Sequence, residues 1–193
     1  MNLSSPNPAL FAIALVAWTA SEVYGGAIVP LVHRRGSVSL RREKGSLLLY
    51  YLGIAIFLAV VAILPDEASG ALPTYLFYVG VSLMFAGIIL RQWAIASLGR
   101  SFSFTVAVSR GQRIVDKGPY RSVRHPAYTG IAATLVGFGL ALQSWQVVAL
   151  SGAVFLPILA YRIRVEELLL KDYFGEEYST YMRRTKRLIP FLL

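Results

Sequence analysis

The sequence predicts an all-α integral membrane protein. Five transmembrane helices are expected, the last two as a short helical hairpin, with a polar cytoplasmic loop and a C-terminal amphipathic helix outside the bilayer. Three observations carry this reading. The 193 residues are 56% hydrophobic and 15% charged, with a mean hydropathy of +0.58, whereas a soluble domain carries about a quarter charged residues. The apolar residues gather into runs suited to a hydrocarbon core of about 30 Å. All 19 Lys and Arg fall on or near one face of a five-span layout.

The first span runs from Pro8 to Val32 and carries Glu22 toward its far end. It is longer than a signal-peptide core and has no basic residue before it, so it is expected to be retained. The loop His33 to Lys44 holds Arg34, Arg35, Arg41, Arg42 and Lys44. The second span, Ser46 to Leu64, leads into the polar turn Pro65 to Gly70, which has no Lys or Arg. The third span covers Leu72 to Leu98, with Arg91 in its last third, and the long polar segment Gly99 to Pro126 follows. Two shorter apolar runs come next, Ala127 to Leu142 and Val147 to Ile163, of 16 and 17 residues. A turn at Gln143 to Gln146 joins them into a tight hairpin, for which Gly130, Gly137 and Gly139 provide small faces. The charged and aromatic tail from Glu166 to Tyr181 fits an amphipathic helix broken near Gly175 and lying on the membrane.

Five basic residues lie in the first loop, one in the third span, six in Gly99–Pro126 and seven from Arg162 onward. The positive-inside rule assigns that face to the cytoplasm and puts the N-terminus outside. The net charge of +9 therefore follows from topology and from attraction to anionic lipid head groups, with Arg183, Arg184, Lys186 and Arg187 placed to touch lipid phosphates. A nucleic-acid partner is unnecessary. With no cysteine in the chain, disulfides, thiolate nucleophiles and Cys-based zinc sites are excluded, and no metal site is expected.

The residues able to carry chemistry cluster at one membrane depth. His125 stands before Pro126, a residue suited to the first turn of a helix, with Tyr128 one turn on. It is either an interfacial histidine beside an aromatic-belt residue or one wall of a cofactor site, since helix N-termini favour anionic groups. Arg162 and Glu166 are four apart and share a helix face, as an ion pair or as site residues. Glu167 points elsewhere. Glu22 and Arg91 are candidates for lining a lipid-facing entrance, and snorkelling to the interface is the simpler account of Arg91. Phe102 to Val108 is too short to span; it reads as extended backbone able to bind a planar ligand, or as a plain structural loop.

In order and spacing, Gly118-Pro119-Tyr120, Arg124-His125-Pro126-Ala127-Tyr128-Thr129-Gly130, Arg162-x-x-x-Glu166-Glu167, Phe174-Gly175-Glu176-Glu177-Tyr178-x-x-Tyr181 and Thr185-x-Arg187-Leu188-Ile189-Pro190 resemble the isoprenylcysteine carboxyl methyltransferase family. The likeness covers roughly Phe102 to Phe191, and the five-span layout looks like the family's short prokaryotic members. The resemblance implies one membrane domain, 1–193, with 1–98 as a three-helix scaffold and 99–193 as the cofactor-binding and catalytic region. It implies S-adenosylmethionine as cofactor, with S-adenosylhomocysteine as product. By position the cofactor residues are Thr105, Gln112, Arg113, Ile114, Val115, Tyr120, His125, Pro126, Ala127, Tyr128 and Glu166, and Arg162 is the catalytic residue that holds the substrate carboxylate. Eukaryotic members carry Gln near the Thr105 position and His near that of Gln112. The implied acceptor is a lipophilic or prenylated molecule entering from the bilayer of a prokaryotic inner or cell membrane.

Attack of a carboxylate on a sulfonium methyl needs no general base. Both reactants lose charge in the transition state, so a site of low polarity favours the reaction. The protein's part is to align nucleophile, methyl and sulfur. The rival expectations are methyl transfer to an amine or thiol, an NADPH-dependent enzyme like the sterol reductases, and a non-catalytic lipid-binding scaffold. The last accounts for the basic face but leaves His125, Arg162 and Glu166 unexplained.

Overall fold

The computed structural model describes residues 6–29, 38–41, 45–64, 72–103, 105–109 and 111–188. In chain order the elements are α1 (Pro8–Val23), β1 (Val38–Arg41), α2 (Ser46–Ile63), α3 (Tyr75–Leu98), β2 (Ala107–Ser109), α4 (Pro126–Ala141), α5 (Trp145–Phe174) and α6 (Glu176–Arg184). Among the described residues, four stretches are long and apolar enough to cross a membrane: Pro8–Gly26, Ser46–Ile63, Tyr75–Ser101 and Trp145–Phe174. The apolar α4 is shorter, at 16 residues, or about 24 Å at 1.5 Å per residue. Large apolar side chains such as Val16, Leu48, Ile63, Ile89 and Leu156 are exposed. Such a surface is stable against lipid tails and a liability in water. The chain is an integral membrane protein.

The helix ends follow from local chemistry. Asn7 caps α1 by accepting the Leu10 N–H, with Pro8 at the first helical position, an arrangement that satisfies an orphan donor and removes another. After α1 the chain loosens into a π-helical turn, Tyr24–Ile28. Ser144 caps α5 by accepting from Val147 N. Gly175, at φ +57°, separates α5 from α6 in a conformation that L side chains resist.

The sequence places the end of the last span at Ile163 and a separate surface helix from Glu166. Instead α5 is one helix of 30 residues through Phe174, Pro157 included. Helical hydrogen bonds are internal to the segment, so the helix has no reason to stop where hydrocarbon stops. The break near Gly175 is where the sequence puts it. The expected first span ends earlier as α-helix, at Val23, and Val32 lies outside the described residues. So do His33, Arg34, Arg35, Arg42, Lys44 and the turn Pro65 to Gly70. Of the first loop the described residues are Val38–Arg41, which form β1 and pair antiparallel with β2. This two-stranded ribbon is the one departure from an all-helical fold among the described residues.

The helices α3 and α4 meet backbone to backbone. A Cβ on Gly87 would lie 2.6 Å from the Gly130 carbonyl oxygen, and one on Gly130 2.6 Å from that of Gly87. Gly80 and Gly137 repeat the same reciprocal 2.6 Å approach seven residues away. Around this seam the core is aromatic. Phe138 on α4 lies 6.0 Å from Phe11, 5.6 Å from Trp18 and 5.8 Å from Phe57, centroid to centroid. A second, smaller cluster joins Val106 and Val108 around β2 to Val165 and Leu169 on α5. It fixes the polar segment against the C-terminal half of α5.

A Gly137→Val substitution is expected to force α3 and α4 apart and to destabilise the protein by about 1–3 kcal/mol, as overpacking does. Gly152→Ala, whose Cβ would have its nearest contact at 3.8 Å, is expected to be neutral or stabilising because Ala is the better helix former. Thermal unfolding in detergent compares the two.

Candidate active site

The loop before α4 is held down from several sides. Gly118, at φ +59°, leaves room that a Cβ would deny, with Ser97 Oγ only 2.7 Å from it. This lets the turn Gly118–Arg121 rest on the end of α3. Tyr120 is buried, and its carbonyl accepts the Tyr181 hydroxyl at 2.8 Å. Burial, reinforced by the Glu166 carboxylate, holds the Tyr120 and Tyr178 phenols well above their usual range, so both present neutral hydroxyls. His125 is the N-cap residue of α4, with Pro126 at the first helical position.

His125 is 3% exposed. Its Nδ1 lies 3.8 Å from Glu166 Oε2 and its Nε2 3.4 Å from Glu167 Oε1. The second approach is out of line, and Nε2 makes no hydrogen bond among the described residues. Tyr128, whose ring centroid is 5.7 Å from that of His125, donates its hydroxyl to Glu166 Oε2 at 2.9 Å.

From the other side α5 presents Arg162 and Glu166, one turn apart. Arg162 is buried; it donates to Ser46 Oγ at 3.3 Å, and its guanidinium carbon sits 5.7 Å over the Tyr50 ring. Glu166 is a third exposed. Glu167, rotated about 100° around the helix, is buried and paired with Arg124 at 3.0 Å and Arg187 at 3.0 Å. Neither of these partners was assigned to Glu167 from the sequence. The signal was there: adjacent helical carboxylates cannot share a face, so the buried one needs a cation of its own.

Arg124 and Arg187 bring the C-terminal segment into the wall. The Arg124 N–H donates to the Lys186 carbonyl at 2.7 Å, His125 N–H to Arg187 at 3.0 Å, and Lys186 N–H to Ser122 at 3.1 Å. Val123 and Lys186 form a parallel bridge. Thr129 Oγ1 adds a bond to the Leu188 carbonyl at 2.7 Å. Three of the four tail cations expected to face lipid phosphates have carboxylate partners within the chain. Arg183 pairs with Glu176, Arg184 with Asp116 and Arg187 with Glu167.

These elements enclose a cleft of roughly 1110 Å³, its open mouth included. Of the residues singled out in the sequence, Thr105, Gln112, Arg113, Ile114, Val115, Tyr120, His125, Ala127, Tyr128, Arg162 and Glu166 all line it. Pro126 is buried but does not; its ring serves the helix start behind the wall. Tyr50, Arg124, Tyr178 and Tyr181 line the cleft without having been assigned to it, and so does Arg91, a candidate for lining a lipid-facing entrance. The snorkelling expected of Arg91 is corrected. The residue is 4% exposed and its guanidinium pairs with Glu22 on α1 at 2.9 Å, a counter-charge that lets it stay buried.

Glu167→Ala leaves Arg124 buried without its carboxylate, and a loss of about 3–5 kcal/mol is expected. Arg183→Ala removes an exposed pair and is expected to change stability by less than about 0.5 kcal/mol. Chemical unfolding in detergent measures both.

The profile of the isoprenylcysteine carboxyl methyltransferase (ICMT) family matches residues 79–172. The probable protein-S-isoprenylcysteine O-methyltransferase of Oryza sativa subsp. indica is 28% identical over 190 residues, covering 95% of each chain. The protein-S-isoprenylcysteine O-methyltransferase of Saccharomyces cerevisiae is 32% identical over 193 residues, 95% of this chain and 79% of that one. The structure of the eukaryotic intramembrane Ras methyltransferase ICMT superposes with a TM-score of 0.68 at 22% identity, covering 99% of this chain and 70% of that one. This last likeness speaks for the fold. With the yeast enzyme matched over most of its length and the family's core laid over the cleft, the chain belongs to the isoprenylcysteine carboxyl methyltransferase family and is an integral membrane carboxyl methyltransferase.

Proposed function

We propose that the cleft takes S-adenosylmethionine from the cytoplasm and transfers its methyl group to the carboxylate of a prenylated or otherwise lipophilic acceptor, releasing S-adenosylhomocysteine. The observation that carries this is the pair on α5: a buried guanidinium, Arg162, and a partly open carboxylate, Glu166, one turn apart on the same cleft. The donor set suits both reactants. Glu166, oriented by the Tyr128 hydroxyl, offers its carboxylate to an ammonium. Leu169, Leu170 and Phe174 give apolar wall, and the strip Gln112 to Val115 gives backbone groups for a planar ring. Thr105, Arg113, Tyr120 and Ala127 close the same space.

When bound, S-adenosylmethionine supplies a methyl group on a positively charged sulfur. Arg162 holds the acceptor carboxylate so that one oxygen faces that methyl. Transfer of that methyl to the carboxylate would call for no proton to be removed, so the residues' part would be to hold and align the two groups. His125 accordingly serves as a binding residue at the helix start rather than as a base. The buried floor keeps water from the reacting atoms, where the two charges neutralise each other.

The chain is read as a short prokaryotic member in which α4 and α5 form a hairpin, giving five spans with the N-terminus outside. The cleft then faces the cytoplasm of the cell membrane, anionic lipids gather at the basic face, and the acceptor enters sideways from the bilayer. The distribution of Lys and Arg supports this orientation.

Calorimetric titration of the purified protein is expected to show binding of S-adenosylmethionine and S-adenosylhomocysteine and none of NADPH; absence of adenosyl binding sinks the reading. Glu166→Ala is expected to weaken cofactor affinity by about 10–100-fold, the worth of a charge-assisted hydrogen bond. Arg162→Ala is expected to keep cofactor affinity within about twofold, since its partner is the acceptor, and to lose methyl transfer.

A further inference from the structure

Helix α2 holds two buried polar side chains that the reaction described above leaves unused. Its 18 residues, Ser46 to Ile63, carry polar side-chain atoms only at Ser46, Tyr50 and Tyr51. Tyr51 is half exposed. Ser46 and Tyr50 are four apart, 0% and 5% exposed, and share the buried face of the helix with Gly53, Phe57 and Val61. Polar groups at membrane depth are costly and mark functional positions. Here both meet the same guanidinium.

Arg162 on α5 donates from Nη1 to Ser46 Oγ at 3.3 Å, and its guanidinium carbon stands 5.7 Å from the centroid of the Tyr50 ring. The hydroxyl fixes one edge of the fork, and the ring attracts the cation to its face. Apolar packing sets the depth of α2 against α5. Ile158 fills the space that Gly53 leaves, where a Cβ would collide with it, and Phe57 meets Phe155 edge-on at 5.5 Å. Tyr50 is itself anchored, its hydroxyl donating to Glu22 Oε2 on α1 at 3.4 Å. An arginine side chain has many rotamers, and one left unheld must be ordered each time a ligand binds.

We infer that Ser46 and Tyr50 are positioning residues for Arg162: hydroxyl and ring hold the guanidinium at the cleft wall before the acceptor arrives. This rests on the reading that Arg162 holds the acceptor carboxylate. Both partners are neutral, so they orient the charge without cancelling it. A carboxylate in either place would form an ion pair with Arg162 and compete with the acceptor for it. Ser46 and Tyr50 act through Arg162 and not on the reacting atoms. α2 then serves the reaction as well as the scaffold, although it carries none of the residues that bind the cofactor.

The test measures binding of N-acetyl-S-farnesylcysteine and of its neutral carboxamide to the full-length protein in detergent, with S-adenosylhomocysteine bound. Wild type is expected to prefer the acid, and Arg162→Met to lose that preference. Tyr50→Leu removes the ring and is expected to weaken acid binding about tenfold with the amide unchanged, whereas Tyr50→Phe keeps the ring and stays within about threefold of wild type. Ser46→Ala, a smaller change, is expected to weaken acid binding several-fold. Added to Arg162→Met, neither Tyr50→Leu nor Ser46→Ala is expected to weaken it further, since no guanidinium is left to orient. A merely structural pair would weaken acid and amide alike and would act equally with or without Arg162. Acid binding undiminished in both Tyr50→Leu and Ser46→Ala, or an equal loss in the Arg162→Met background, overturns the proposal while leaving the carboxylate reading intact. A wild type indifferent between acid and amide overturns both.

Discussion

Backbone meets backbone where α3 crosses α4, and the place of most polar groups in the cleft follows from that contact. Gly80 and Gly87 face Gly137 and Gly130 with no side chain between them. In a bilayer there is no hydrophobic force to draw helices together, so close packing itself must do so. The seam holds Gly130, in the first turns of α4, against the backbone of Arg91. From there α4 runs away from the cleft and, after a tight turn, α5 returns Arg162 and Glu166 to the depth at which α4 began. A looser seam would leave those groups on separate helices of uncertain spacing.

The second organising condition is electrical. Charges at membrane depth are tolerated only with partners, and each buried one here has a partner on another element: Arg91 with Glu22 on α1, Arg162 with Ser46 at the start of α2, Glu167 with Arg124 before α4 and Arg187 after α6. The same contacts that neutralise the charges tie the helices into one frame. Glu166 is the exception in kind. It accepts a neutral hydroxyl from Tyr128 and keeps part of its carboxylate open, which suits a group reserved for a ligand.

The apolar framework was legible because a bilayer writes its thickness into the chain as uninterrupted runs. The starts of α2 and α4 were read to within a residue, since Ser46 and Pro126 mark them. The end of α5 was not, because a helix can continue into water without any change in its own bonding. The candidate site was legible as a set of residue types at fixed spacing, and eleven of the twelve residues chosen share one cleft. Their orientation was not legible. Whether Arg91 snorkels or turns inward depends on a carboxylate 69 positions away, and whether a tail arginine meets lipid or Glu167 depends on how the segment after α6 folds back. The β1–β2 ribbon was missed for a like reason, since strands of three or four residues are defined by a distant partner and not by their own pattern.

The parallel bridge between Val123 and Lys186 sets an order on the making of the protein. Every membrane helix precedes residue 185 in the chain, so the segment that closes the wall of the cleft is made last. The Arg124–Glu167–Arg187 cluster can close only afterwards, from the aqueous side, when the segment reaches back over α4. The wall of the cleft thus depends on the last part of the chain to be made.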